Sequence, residues 1–226
     1  NGNAGDDTFS VTPTGLAALM PVRGQFTFPA PYNTTGVRLT NAHDCSEWYD
    51  CVNVSNGGSW RNMNNSAGSN FLYIVLGLDK TNGGVGPSLF RYNKSTGETV
   101  NLGGLFDADD DRRWGSLDGW YFSPTLPTKF YIGLDTQLQR FDVLTHTTDV
   151  VFDITSQFGD DKEIYHAQSS NDDRVHSFTL RLINTAQPLG CGVYREDTHQ
   201  FSYFPAVGAF HECQVDKSGQ WLLIKE

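Results

Sequence analysis

The chain has no apolar run near the roughly 20 residues that a membrane-spanning helix needs, which excludes a helical span. It is also short of basic residues: 16 Lys and Arg stand against 26 Asp and Glu, a formal charge of −10. That balance excludes a nucleic-acid partner held through phosphates, which requires clustered cations. It equally leaves no means of gripping an anionic membrane, and its main effect is solubility. Several catalytic signatures are missing. There is no G-x-S-x-G elbow, phosphate loop, H-E-x-x-H or dinucleotide fingerprint. No C-x-x-C pair is present, which argues against zinc. Helical periodicity is nearly absent.

What is present points to strands. Aromatics make up 13% of the chain and 23 residues are Gly, a mix suited to pleated, half-buried strands and tight turns. Four cysteines allow three pairings. Cys45 and Cys51 bracket a short loop that a disulfide would close, leaving Cys191 with Cys213; four reduced, buried thiols are the alternative. N-x-S/T triplets at Asn33, Asn53, Asn64 and Asn93 are candidate glycosylation sites. With the even cysteine count they point to a secreted protein, extracellular or periplasmic. No leader is visible at Asn1, so a mature form is expected.

A repeat is the strongest signal. YHAQSSNDDRVHSFTL from Tyr165 and FHECQVDKSGQWLLIK from Phe210 each run from an aromatic and a histidine, through a polar turn, into an apolar strand. A shift of 45 lays His166 on His211. Fainter copies begin near 60 and 119. Between them runs a strand-turn-strand motif in which Tyr92, Phe141 and Tyr194 correspond. A period near 50 containing several short antiparallel strands predicts an all-β fold, a β-propeller, with a two-sheet sandwich as the alternative. The apolar strand after each polar turn is expected to be the innermost. Residues 1–22 read as an extended arm and 23–226 as the propeller. The segment from Arg23 either completes the blade begun at His211, closing a small ring, or further blades follow Glu226. An open strand edge or the arm would then allow self-assembly.

The texts HSFTLR, LGCGVYREDT and HECQVDKSGQWLLIKE resemble a group of secreted bacterial β-propellers with WD-like, Tol-type blades. The resemblance runs from about Phe26 onward. More distantly the chain is similar to oligogalacturonate-lyase-type propellers. That likeness implies a histidine cluster near the axis holding a divalent metal, with another histidine assisting proton abstraction. His166 and His211 match in kind and place.

The residues at the strand heads suit such chemistry. Trp60 and Trp120 would stack on sugar rings, and Arg61 would fork onto a carboxylate. His166, His211 and Glu212 would share a metal such as manganese, which would acidify a sugar proton for elimination. The alternative is structural: the histidines cap turns and the tryptophans pack blades. In FDADDDRRWGSLD, Asp107, Asp109 and Asp111 alternate and Asp118 follows, as in a calcium loop. Arg112 stands where such a loop needs Gly, so the other reading is an acidic loop partly neutralised by Arg112 and Arg113. Two functions follow. One is a binding or assembly module for a glycan or protein partner. The other is a metal-assisted lyase acting on acidic sugars.

Overall fold

Every second residue of Trp120-Tyr121-Phe122 belongs to a different core. Trp120 and Phe122 pack with Tyr73, Val75 and Leu89. Tyr121 packs with Ile164, Phe178 and Leu180 on the opposite side. This period-2 alternation is what a strand imposes, and here both faces of one sheet are covered by other sheets. The same holds at Phe130-Tyr131-Ile132.

The computed structural model describes residues 13–46, 51–53, 61–64, 68–115, 117 and 119–225. Among them a short helix α1 (Pro13–Leu19) precedes a two-stranded sheet, β1 (Gly24–Thr27) with β2 (Thr35–Arg38). Three antiparallel meanders of four strands follow. The first is β3 (Val52–Asn53), β4 (Phe71–Leu78), β5 (Gly86–Asn93) and β6 (Thr99–Gly104). The second is β7 (Tyr121–Phe122), β8 (Lys129–Leu134), β9 (Gln137–Asp142) and β10 (Thr148–Asp153). After a single helical turn, α2 (Thr155–Phe158), comes the third: β11 (Lys162–Ser169), β12 (Val175–Leu182), β13 (Pro188–Arg195) and β14 (Gln200–Pro205). A hairpin of β15 (Glu212–Val215) and β16 (Leu222–Lys225) ends the described chain. Successive four-stranded meanders stacked face to face are propeller blades, and the expected all-β propeller fold holds.

The hairpin between third and fourth strands is the clearest repeat. Tyr92 faces Thr99, Phe141 faces Thr148 and Tyr194 faces Phe201, so the three aromatics are equivalent, as their spacing predicts. Each turn places a left-handed residue four positions after the one that follows its aromatic. These are Gly97, His146 and His199, with φ of 74°, 57° and 54°.

Three expectations change. The apolar strands after the polar turns, β4, β8 and β12, are second in their sheets rather than innermost. They read as continuous apolar runs because a sheet covers each face, not because they line an axis. In the second and third meanders the first strand is the better covered edge: β7 is wholly buried and β11 has no exposed residue, whereas half of β10 and most of β14 are exposed. The segment from Arg23 does not complete the last hairpin. It forms the separate sheet β1–β2, docked on the first meander, where the Gln25 amide donates to Tyr92 Oη at 2.5 Å. Finally, equivalent positions in the third meander and the last hairpin lie 46 residues apart, since Ser169 faces His176 and Val215 faces Leu222. His166 therefore corresponds to Glu212, not to His211. A bulge between Tyr165 and Gln168 adds a residue to β11, with His166 at φ 49°. Matching histidine to histidine slips the register by one, which exchanges the faces of the strand.

Both disulfides form as the spacing suggested, Cys45–Cys51 and Cys191–Cys213. The second ties β13 to β15.

Candidate functional site at the blade seams

His166 and Glu212 meet where the third meander packs on the last hairpin. His166 Nδ1 donates to Glu212 Oε2 at 2.7 Å, and Lys225 Nζ donates to Glu212 Oε1 at 3.1 Å. Burial raises the Glu212 carboxyl, but the Lys225 ammonium and His166 outweigh it and hold it below its usual range. His211 is exposed, with Nδ1 3.9 Å from the same carboxylate. The Tyr165 ring is covered on both sides, by the His166 imidazole at 3.7 Å between centroids and by the Arg181 guanidinium at 3.4 Å. Gly119 comes from the turn that leads into β7. A Cβ there would lie 2.7 Å from His166 Cα, and its φ is 70°.

The other strand-head residues are scattered. Arg61 reaches across the second sheet, lies over the Tyr121 ring at 5.5 Å, and donates from Nη1 to the Ser169 carbonyl at 3.0 Å. It thus links three successive blades. Trp120 is buried; its indole N–H donates to the Gly133 carbonyl at 3.3 Å, and Phe106 and Phe130 pack edge-on to its ring. It has no free face for a sugar. Trp60 lies outside the described residues.

A divalent metal does not fit the donors present. Among the described residues no three His, Cys, Asp or Glu side chains are gathered to hold one. At the predicted set, the Lys225 ammonium already occupies one Glu212 oxygen, and His166 donates to the other. In the aspartate loop, Asp107, Asp109 and Asp111 do not converge. Asp110 organises it instead, accepting from the Arg112 backbone N–H and guanidinium and so capping the turn Asp111–Trp114. Asp118 lies outside the described residues.

The four candidate glycosylation sites separate by burial. Asn33 and Asn53 are exposed and Asn93 is half-buried. Asn64 is buried, and both ends of its amide are used: Nδ2 donates to the Pro127 carbonyl and Oδ1 accepts from the Tyr73 N–H. A glycan on Asn64 is incompatible with this packing.

Sequence reasoning missed a buried polar chain between the second and third meanders. Tyr121 Oη and Ser169 Oγ are 2.6 Å apart, and Ser169 Oγ lies 2.7 Å from His176 Nδ1. His176 Nε2 is 3.1 Å from Glu196 Oε2, and Arg140 donates to Glu196 Oε1 at 2.9 Å. One assignment satisfies every member: Tyr121 donates to Ser169, Ser169 to His176 Nδ1, and His176 Nε2 to Glu196. The His176 hydrogen bond holds the Glu196 carboxyl down, and burial pushes the Tyr121 phenol well up. Ser169 and His176 are inaccessible, so this serine–histidine–glutamate row fastens sheets and reaches no substrate. Close by, Asp173 Oδ2 accepts from the Ser123 and Thr125 hydroxyls. No spacing motif joins these residues, and the only signal in the sequence was polar residues inside otherwise apolar strands.

No known family's sequence profile matches the chain, and no curated protein matches it. Solved structures do. An oligogalacturonate lyase in complex with manganese is 12% identical, with a TM-score of 0.49, over 91% of this chain and 60% of its own. An oligogalacturonate lyase from Vibrio parahaemolyticus is 12% identical, with a TM-score of 0.48, over 79% of this chain and 45% of its own. The β-propeller domain of Myceliophteria thermophila Cps50 (Swd1) is 10% identical, with a TM-score of 0.32, over 76% of this chain and 64% of its own. The chain thus spans less than two thirds of each of these structures, and its likeness to propellers is distant.

Proposed function

We propose that this chain is an extracellular β-propeller that binds a glycan partner at the seam between its third meander and last hairpin. The observation that carries this reading is the commitment of Glu212. Both its oxygens are engaged, by His166 and Lys225, so it positions cationic and donor groups rather than serving as a free base. His211 and Lys225 stay 60% and 59% exposed beside it, a rim of donors suited to a hydroxyl- or carboxylate-rich surface. The exposed Asn33 and Asn53 sites are proposed to carry glycans in a secreted form.

The test is a glycan array probed with the intact chain and with His211→Ala. Binding that drops about tenfold in the variant, with melting unchanged, supports the reading. Turnover of uronic-acid polymers, lost in His166→Ala while the fold persists, would favour a lyase instead.

A further inference from the structure

Two cations, Lys80 and Arg113, line one cavity far along the chain from that rim, with a single carboxylate beside them among the described residues. The cavity lies between the first meander and the segment leading into the second and encloses about 200 Å³. Lys80, Arg113, Trp114, Asp79 and Gly86 are among its lining residues. Lys80 Nζ stands 3.3 Å from the centre of the Trp114 ring, which is itself 67% exposed. Neither Lys80 nor Arg113 forms a salt bridge with any described residue. Arg113 Nη1 donates to the Ala108 carbonyl, but its Nε is shut away from solvent with no hydrogen-bond partner. Such an orphaned donor is costly.

Asp79, the one carboxylate among the described residues of the wall, keeps its charge but spends its hydrogen bonds on neutral neighbours rather than on either cation. Its oxygens accept from the Thr81 N–H and hydroxyl and from the Asn82 amide. Desolvation and the nearby Arg113 charge both lower the Lys80 pKa, as expected of two cations sharing a site. In a chain of net charge −10, a wall whose described residues carry two cations against one carboxylate is out of keeping with its surroundings. Backbone approach is tight: a Cβ on Gly86 would lie 2.5 Å from the Arg113 carbonyl oxygen, which fixes where Arg113 sits.

We propose that this cavity binds the oxyanion of a single charged sugar, a carboxylate or a sulfate ester, between Lys80 and Arg113, with Trp114 against the ring. The charge calls for an oxyanion, since the guanidinium and ammonium both offer directed donors. The indole face that Lys80 leaves uncovered, on a side chain 67% exposed, suits the apolar face of a pyranose. The cavity is smaller than the roughly 300 Å³ where drug-sized pockets begin, which limits the occupant to about one ring. This site stands apart from the Glu212 rim, and neither reading depends on the other.

Calorimetric titration of the full chain with glucuronate, glucose 6-sulfate and glucose tests it. Either anionic sugar binding, with affinity falling as salt rises and glucose inert, supports the site; which one binds identifies the oxyanion. Lys80→Met should weaken that binding about tenfold without changing the melting temperature. Arg113→Gln should do the same, and because it can also loosen the loop, Lys80→Met decides. Binding of glucose as tight as that of the anions, an anion affinity unmoved by Lys80→Met, or no binding at all would overturn it.

Discussion

At the residue scale, the sharpest dependence falls on side chains that join one sheet to the next. His166 is one. Removing its imidazole leaves the largely buried Glu212 with only Lys225, so His166→Ala is expected to cost about 1–3 kcal/mol, read as a lower melting temperature; an unchanged melt would refute the tie. Asp142 is another. Desolvation raises its carboxyl, but the N–H groups of Thr145 and Leu144, the Thr128 hydroxyl and Lys129 pull it down to about 2 from an ordinary 3.8. A folded-state value below the unfolded one stabilises at neutral pH, and that gain fades as pH falls through the folded value. Stability should therefore decline between about pH 4 and pH 2, and Asp142→Asn should flatten the decline in acid melting curves. Polar residues of this kind were largely illegible in advance. Ser169, His176 and Glu196 are brought together only by pairing across β11, β12 and β13, and nothing in their local sequence marks them as partners.

At the scale of elements, local chemistry was readable and register was not. The loop closed by Cys45 and Cys51, and the equivalence of Tyr92, Phe141 and Tyr194, follow from short-range spacing and hold. The match of His166 to His211 fails because the turns themselves set an offset of 46, and a one-residue difference in offset cannot be seen in a pattern of apolar positions. The innermost strand was misassigned because an apolar run reports two covered faces without saying what covers them. The turn that recurs at Gly97, His146 and His199 carries its own expectation. A non-glycine residue with positive φ is strained by roughly 1–2 kcal/mol, partly offset by the greater unfolded-state freedom of glycine. His146→Gly should accordingly leave stability equal or raise it by up to about 1 kcal/mol; a clear loss in denaturant titration would contradict this. The Cys191–Cys213 link ties β13 to β15 across a separation of 22 residues. Its reduction should cost about 3 kcal/mol, seen as a lower denaturation midpoint with reductant.

At the scale of the whole molecule, stability is passed between neighbours. Each meander covers the faces of the next, as repeats do in other stacked folds. The terminal sheets are less enclosed: β1–β2 is held chiefly by Arg23 on Asp44 at 2.5 Å and by Gln25 on Tyr92. Hydrogen exchange should thus be fastest in β1 and β2 and slowest in β8 and β12, and uniform protection would argue against a nearest-neighbour account. Two disulfides suit an oxidising compartment, outside the cell or in the periplasm.

The buried path from Tyr121 to Arg140 has a meaning beyond fastening. Blades written on one repeated pattern are interchangeable in their apolar content, and a chain of them risks docking the wrong pair. Here the second sheet offers Tyr121 and Arg140, and the third offers Ser169, His176 and Glu196. Against any neighbour lacking the matching groups, each orphaned member of the inaccessible part, Tyr121, Ser169 or His176, would cost about 1–3 kcal/mol. The path works as a proof of identity between adjacent blades: it penalises every arrangement but one, and so sets the order in which similar sheets can come together.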